Sequence, residues 1–222
     1  MTVTSANKSP ALHLMMGGTF DPVHVGHLRM AIELREHFAA SHIHLVPCHV
    51  PPHRDTPGAS SADRVRMLQA AVADEVGLVV DERELRRDAP SYTADTLADL
   101  RRELGESQPL ALVLGTDAFA GIDRWHQPEA VLERAHLIVI DRPGYPLPED
   151  GLARRWVHEH GVNDVSELKS RERGAVLQLR LSLLDISATD VRERIASGRS
   201  PRYLVPDPVW QYIRERGLYR QG

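Results

Sequence analysis

Short apolar runs alternate along the chain with segments in which apolar residues recur every three or four positions. The short runs end at glycine or proline and predict buried strands, whereas the recurrences predict amphipathic helices, as at Leu28, Ala31, Leu34 and Phe38. Strands are predicted at 12–16, 43–46, 77–80, 110–114, 136–140 and within 176–184. Helices are predicted at 28–38, 65–72, 93–104, 191–195 and 208–216.

The alternation of strands and helices predicts the fold class. Strands joined through helices pair in parallel, and such a sheet is covered on both faces. Because the chain has no internal repeat and no dividing linker, we expect an α/β protein with a single doubly wound, Rossmann-like domain over residues 11–222, with a central parallel sheet and helices on both faces. Residues 1–10 are expected to form a flexible tail, and the charged stretch 146–174 a variable excursion with one helix near 153–160.

Composition and charge narrow the class of protein without identifying it. The 222 residues are 42% hydrophobic and 26% charged, the balance of a soluble globular protein. The formal net charge of −4 gives no overall basic surface, which disfavours nucleic acid as a partner. Cys48 is the only cysteine, which excludes an intramolecular disulfide and fits a reducing compartment. Since no apolar run approaches the roughly 20 residues that span a bilayer, we expect a cytoplasmic protein without membrane contact.

The predicted fold also places the candidate ligand site. In doubly wound sheets, ligands bind beyond the carboxyl ends of the strands, where the strand order reverses. The loops predicted to reach this edge are 17–27, 47–54, 115–125, 141–144 and 186–192.

The loop after the first strand carries the most specific pattern of the chain, GGTFDPVHVGH over residues 17–27. Its two leading glycines let the backbone pass close to a ligand. Gly26 and His27 open a helix whose amino-terminal N–H groups and dipole favour an anion. His24 lies three residues before His27, close enough to share that ligand. A zinc pair is the alternative interpretation, but no third ligand of suitable spacing follows, so we expect no metal site on these histidines.

The same pattern resembles the opening of the nucleotidylyltransferase superfamily, whose members carry T/H-x-G-H after the first strand. Further segments narrow the resemblance to the bacterial nicotinate-nucleotide adenylyltransferases. In chain order they are PPHR (51–54), SYTADT (91–96), GTD (115–117), WH (125–126), RPG (142–144), ISATDVR (186–192), RYLVP (202–206) and GLY (217–219). Members of that family join nicotinate mononucleotide to ATP with Mg²⁺, which gives deamido-NAD and pyrophosphate in NAD biosynthesis.

The resemblance implies a mechanism without a covalent nucleophile. The attacking phosphate oxygen is already ionised, so catalysis is expected to consist of positioning and charge stabilisation of an in-line transfer. His24, His27 and Arg192 are the implied catalytic residues, with both histidines on the triphosphate and His27 nearest the α-phosphate. The other implied ATP contacts are Gly17, Gly18, Thr19, Phe20, Gly26, Asp117, Ile186, Ser187 and Thr189. Mg²⁺ is expected to be held mainly by the ATP phosphates rather than by a protein metal site.

Ser187 has two interpretations. The segment SATD has the shape of a capping box, so Ser187 could do no more than start a helix. The resemblance adds that the same helix start and Arg192 hold the β- and γ-phosphates. The family usually has a second serine where Ala188 stands, which puts one hydroxyl contact in doubt here.

Nicotinate carries a carboxylate and an aromatic ring, so its pocket needs N–H donors and a stacking face. Trp125 is the stacking candidate, although the alternative is an aromatic residue of the core. Thr93 and the backbone around Tyr92 are the polar candidates, Asp117 is expected to contact ribose hydroxyls, and the basic residues are expected to hold or flank the phosphate. The implied mononucleotide contacts are Thr19, Phe20, His53, Arg54, Tyr92, Thr93, Gly115, Asp117, Trp125 and Arg142.

Two other functions compete with this one. The H-x-G-H pattern also fits an adenylyltransferase that uses nicotinamide mononucleotide or phosphopantetheine, and PPHR, SYTADT and WH are what favour nicotinate. From a different class, the chain could be a nucleotide sensor without turnover, which the presence of His24, His27 and Arg192 disfavours. The expected partners are therefore ATP and nicotinate mononucleotide, with a homo-oligomer left open.

Overall fold

The structure is a computed structural model that describes residues 11–49, 58–141 and 144–220, so the predicted tail at 1–10 lies outside it. The strands are β1 (His13–Gly18), β2 (His42–Pro47), β3 (Leu78–Val80), β4 (Leu110–Gly115), β5 (His136–Ile140), β6 (Gly161–Val162) and β7 (Val176–Leu179). The α-helices are α1 (Val25–Phe38), α2 (Ser61–Val72), α3 (Thr93–Leu104), α4 (Thr116–Ala120), α5 (Pro128–Leu132), α6 (Gly151–His160), α7 (Val165–Lys169), α8 (Ala188–Ala196) and α9 (Asp207–Arg216). Short 3₁₀ helices occupy Arg83–Arg86 and Ile122–Arg124.

The described strands form one sheet in the order β3-β2-β1-β4-β5-β7-β6. Every neighbouring pair is parallel, as the alternation of strands and helices predicts. The chain runs outward from β1 to β3 and then returns to the other side of β1 with β4. This reversal leaves a crevice beyond the carboxyl ends of β1 and β4, where ligands bind in doubly wound sheets. The predicted fold class is confirmed.

The sheet is buried on both faces, which explains why its strands are continuous apolar runs. Successive side chains of a strand point to opposite faces. Leu14 of β1 therefore packs in one cluster with Leu34 and Phe38 of α1. Met15, the next residue, packs in the other cluster with Leu97 of α3. All residues of β5 are buried.

Several predicted element ends are wrong, and α1, α2 and α8 each begin three or four residues before the predicted start. The sequence places the end of the first strand at Met16, yet β1 continues through both glycines, and Gly18 pairs with Pro47 of β2. A glycine interrupts the run of apolar side chains, but its backbone can still pair with the neighbouring strand. The sequence also predicts that the last helix begins at residue 208, whereas α9 begins at Asp207, with Pro206 as its N-cap and no side-chain cap.

The excursion at 146–174 holds more structure than the sequence predicts. Its predicted helix is confirmed as part of α6, but the sequence does not predict β6, which pairs with β7 at the edge of the sheet. A strand of two residues has no periodicity that a sequence pattern could reveal. Among the helices of the described ranges, none is long and apolar enough to cross a membrane.

Candidate active site

A cavity of about 1400 Å³ opens at the carboxyl ends of the central strands. Pockets for single small molecules span roughly 300–1,000 Å³, so this one has room for two nucleotide-sized ligands. Among the predicted site residues, those that line it are Gly17, Gly18, Thr19, Phe20, His24, Gly26, His27, Tyr92, Thr93, Gly115, Asp117, Trp125, Ile186, Ser187, Thr189 and Arg192. The remaining three, His53, Arg54 and Arg142, lie outside the described residues.

His24 and His27 form a stacked pair at the start of α1. Their ring centroids are 3.6 Å apart with an interplanar angle of 22°. The backbone N–H of His24 donates to Nδ1 of His27 over 3.3 Å, which helps to orient that ring. His24 is the N-cap residue of α1, so both rings stand where the helix N–H groups and dipole favour an anion.

Gly26 lies between the two histidines, where the backbone passes close to the His24 ring. A Cβ atom on Gly26 would lie 3.0 Å from Nδ1 and 3.2 Å from Cε1 of His24, and 3.5 Å from the carbonyl oxygen of Leu184. The two distances to His24 are tighter than ordinary van der Waals contact, whereas the distance to Leu184 is an ordinary one. The glycine therefore permits the position of the His24 ring.

Phe20 supports the histidine pair from the other side. Its ring meets that of His27 edge to face at a centroid distance of 5.2 Å, and it is itself buried. The φ angle of Phe20 is +49°, a strained value for a bulky residue. The preceding turn is held by the buried Arg64, whose Nη1 donates to the carbonyl oxygen of Thr19 over 2.6 Å.

Arg192 of α8 reaches across the cavity toward this loop. Its Nη1 donates to the carbonyl oxygen of Asp21 over 2.8 Å, and its Nη2 donates to Oγ1 of Thr189 over 3.3 Å. The side chain still has a relative exposure of 34%. Since a guanidinium carries five N–H donors, Arg192 is oriented by the protein and retains donors for phosphate oxygens.

The start of α8 is compatible with both interpretations of Ser187. Its Oγ accepts from the backbone N–H of Asp190 over 3.1 Å, which confirms the predicted cap. The hydroxyl proton of Ser187 is not used in that bond, so the same side chain can donate to an anion in the cavity.

Three aromatic rings, those of Tyr92, Trp125 and His126, also line the cavity. The rings of Tyr92 and His126 stack with centroids 4.2 Å apart, and Tyr92 is the N-cap residue of α3. The first N–H groups of α3, including that of Thr93, have no acceptor within the helix. Trp125 is half-buried, packs against the core cluster that contains Leu97 and also lines the cavity. The core interpretation and the ligand interpretation of Trp125 are therefore compatible.

Gly115 is the last residue of β4 and Asp117 lies in the first turn of α4, and both line the cavity. A Cβ atom on Gly115 would lie 2.5 Å from Oδ1 of Asp117, closer than any real contact. Glycine at this position therefore allows the Asp117 carboxylate to fold back over the end of the strand.

Sequence reasoning missed several polar residues of the cavity. Asp21 stands inside the GGTFD pattern, but its carboxylate is buried and bonded within the protein. Glu84 comes from a short 3₁₀ helix without a recognisable motif, and it accepts a hydrogen bond from Thr96 over 2.7 Å. Burial raises the pKa of the Glu84 carboxyl above its usual range. The sequence identifies His126 only as part of the WH segment, whereas the structure stacks it on Tyr92.

The described residues contain no group of three or more His, Cys, Asp or Glu side chains arranged to hold a metal ion. Mg²⁺ in nucleotide enzymes is commonly bound through substrate phosphates and one or two carboxylates, with several waters retained. The cavity offers Asp117 for such a role.

Comparisons with known proteins agree with this geometry. The family model described as Cytidylyltransferase-like matches residues 15–194. A probable nicotinate-nucleotide adenylyltransferase of Marinobacter nauticus is 53% identical over 208 residues, which cover 94% of this chain and 96% of that protein. One from Chromohalobacter salexigens is 47% identical over 216 residues, covering 97% and 99%. Among solved structures, a nicotinic acid mononucleotide adenylyltransferase of Plasmodium falciparum complexed with NaAD has a TM-score of 0.70 at 17% identity, covering 94% of this chain and 97% of that one, a likeness of fold.

Proposed function

The chain belongs to the cytidylyltransferase-like family and, within it, to the bacterial nicotinate-nucleotide adenylyltransferases, and on that premise we propose that it transfers AMP from ATP to nicotinate mononucleotide. The products are deamido-NAD and pyrophosphate. One observation carries the proposal: a single cavity brings an anion-binding end, with His24, His27 and Arg192, to an aromatic end with Trp125 and the start of α3. A triphosphate fits the first end and a pyridine carboxylate the second.

At the anion-binding end, the residues stabilise charge rather than move protons. His27, whose ring accepts a bond from the His24 backbone, is assigned to the α-phosphate. Arg192 and the start of α8 hold the outgoing β- and γ-phosphates, where pyrophosphate gathers negative charge as it leaves. Because these donors are preorganised, the transfer needs little rearrangement of the protein at the moment of reaction.

At the aromatic end, the first N–H groups of α3 face the position assigned to the nicotinate carboxylate. Trp125 supplies the stacking surface for the pyridine ring. Nicotinamide is neutral, so it would gain less from the helix dipole than nicotinate gains. His53, Arg54 and Arg142 remain candidates for the mononucleotide phosphate, and Asp117 for a ribose.

ATP enters this scheme as its magnesium complex, in which Mg²⁺ neutralises part of the phosphate charge. Asp117, which lines the cavity, is also the carboxylate proposed to approach that ion. The proposed setting is cytoplasmic, where ATP is abundant.

Pyrophosphate release separates this function from a nucleotide sensor. The purified protein is mixed with MgATP and nicotinate mononucleotide, and ATP binding is measured by calorimetry in parallel. An enzyme releases pyrophosphate in proportion to the mononucleotide consumed, and His27→Ala abolishes most of that release. Binding of ATP without pyrophosphate release, for any pyridine mononucleotide or for phosphopantetheine, would overturn the proposed transfer and favour the sensor.

A further inference from the structure

The carboxylate of Asp21 is the point at which four distant parts of the chain meet. Asp21 itself has a relative exposure of 4%. Its Oδ2 accepts from the backbone N–H of Gly58 over 2.7 Å, and its Oδ1 accepts from the N–H of Ala59 over 3.1 Å and from the hydroxyl of Tyr219 over 2.6 Å. Arg192 donates to the Asp21 carbonyl oxygen and brings Nη1 to 3.9 Å from the carboxylate.

Each of these partners comes from a different part of the chain. Asp21 follows the turn that leads to His24, and Arg192 belongs to the anion-binding end of the cavity. Gly58 and Ala59 come directly after residues 50–57, which contain the predicted mononucleotide contacts His53 and Arg54. Tyr219 comes from the last described residues, after α9.

Packing around Gly58 strengthens this connection. A Cβ atom on Gly58 would lie 3.2 Å from the ring of Tyr219 and 3.5 Å from Cδ of Arg192. The glycine backbone therefore lies against both side chains at once. Moving the Tyr219 ring would disturb the Gly58 backbone and the stem of Arg192 together.

We propose that Asp21 and Tyr219 are positioning residues that hold the backbone at Gly58 and Ala59, which in sequence directly follows the predicted mononucleotide contacts, in register with Arg192 on the phosphate side. The naming of the two sides rests on the proposed function. Asp21 supplies the acceptor, and Tyr219 supplies the bond and the packing that fix the carboxylate in place. A displacement well below 1 Å between two substrates slows an in-line transfer, because the reacting atoms must lie about 3–3.5 Å apart and aligned.

The phenol of Tyr219 is suited to this role. Burial and the neighbouring Asp21 carboxylate raise the pKa of Tyr219 well above its usual range, so the hydroxyl stays protonated and donates at every working pH. A hydrogen bond to a buried charged group contributes more than a bond between neutral groups.

The chain offers a matched control at Tyr212 of α9. Its hydroxyl donates to Oδ1 of Asp63 over 2.9 Å, so it too joins the C-terminal part of the chain to a carboxylate, here one in α2. Neither Tyr212 nor Asp63 lines the cavity. Tyr219→Phe and Tyr212→Phe thus each delete one hydrogen bond from a phenol hydroxyl to a carboxylate. Only Tyr219→Phe deletes the bond to Asp21.

The test compares the two variants by amide hydrogen exchange and by steady-state kinetics on the full chain. Tyr219→Phe is expected to speed exchange of the Gly58 and Ala59 amides roughly tenfold and to lower kcat/KM for the mononucleotide by a similar factor. Tyr212→Phe is expected to leave both within about twofold of the wild type. Melting temperatures are recorded for both variants, so that a general loss of stability can be subtracted.

Equal exchange rates at Gly58 and Ala59 in the two variants would overturn the proposal. A decrease in kcat/KM that the decrease in melting temperature fully explains would overturn it as well. The exchange measurement does not depend on turnover. If the wild-type protein released no pyrophosphate with any acceptor, the proposed function would fail, while the exchange comparison would still decide whether Tyr219 fixes this segment.

Discussion

Replacing Gly26 with alanine tests whether the position of the His24 ring matters. Alanine is a better helix former than glycine by about 0.5–1 kcal/mol, and Gly26 lies in the first turn of α1. The added methyl, however, would lie 3.0 Å from Nδ1 of His24, so the ring must move by a few tenths of an ångström. The stacked His27 ring, 3.6 Å away between centroids, blocks part of that movement or moves with it.

The expected effect is a loss of activity without a loss of stability. A misplacement of about 1 Å can cost roughly a hundredfold in rate, so a shift of a few tenths of an ångström should lower kcat by roughly tenfold. Gains from helix propensity and losses from strain nearly cancel, which leaves the free energy of unfolding within about 1 kcal/mol of the wild type.

A double-mutant cycle with His24→Ala isolates the cause. Gly26→Ala is measured by pyrophosphate release and by denaturant unfolding, alone and in the His24→Ala background. Without the ring there is nothing for the methyl to displace, so Gly26→Ala should cost little further activity there. Full activity of the single Gly26→Ala variant, or an equal loss in both backgrounds, would refute the reasoning.

Three further predictions follow from other parts of the structure. His27→Ala should lower kcat by roughly a hundredfold or more with an unchanged circular dichroism spectrum, because it removes a preorganised donor to transition-state charge; near-normal turnover would exclude His27 from the reaction. Trp125→Ala should raise the KM for the mononucleotide, because it removes the stacking surface. A large drop in melting temperature with an unchanged KM would leave only the core role. His136 is neutral in the fold, with Nδ1 accepting from the N–H of Ala175 and Nε2 bonded to the Arg171 carbonyl oxygen, and burial lowers its pKa from 6.5 to about 4. The unfolded chain therefore binds the extra proton between pH 6.5 and 4, and stability should fall with acidification across that window by up to roughly 3 kcal/mol; His136→Gln should flatten this dependence in urea titrations, and an unchanged slope would contradict it.

The parts of the fold that the sequence predicts are those with a strong local pattern. Helix α3 has the predicted bounds and ends at Gly105, because a complete amphipathic period precedes a glycine that takes a positive φ of 86°. The parts missed are short or depend on partners far along the chain. β6 forms because its backbone pairs with β7, and no property of Gly161 and Val162 alone reveals this pairing.

The site follows the same rule. The sequence predicts His24, Gly26 and His27 as site residues because all three lie in one local motif. Asp21 is part of that motif as well, yet its role depends on Tyr219, whose hydroxyl reaches it from 198 residues away. A pattern in one sequence cannot reveal such a pair.

The central claim is that AMP passes to a mononucleotide that carries a pyridine carboxylate. The most direct measurement is kcat/KM for nicotinate mononucleotide and for nicotinamide mononucleotide, with MgATP in excess, pyrophosphate release as the readout and the product identified by mass. The account predicts deamido-NAD as the product and a kcat/KM at least roughly tenfold higher for the nicotinate form, the factor that about 1.4 kcal/mol of helix and hydrogen-bond stabilisation supplies. Equal values for the two acceptors would contradict carboxylate recognition at the start of α3, and release with neither acceptor would contradict the proposed transfer itself.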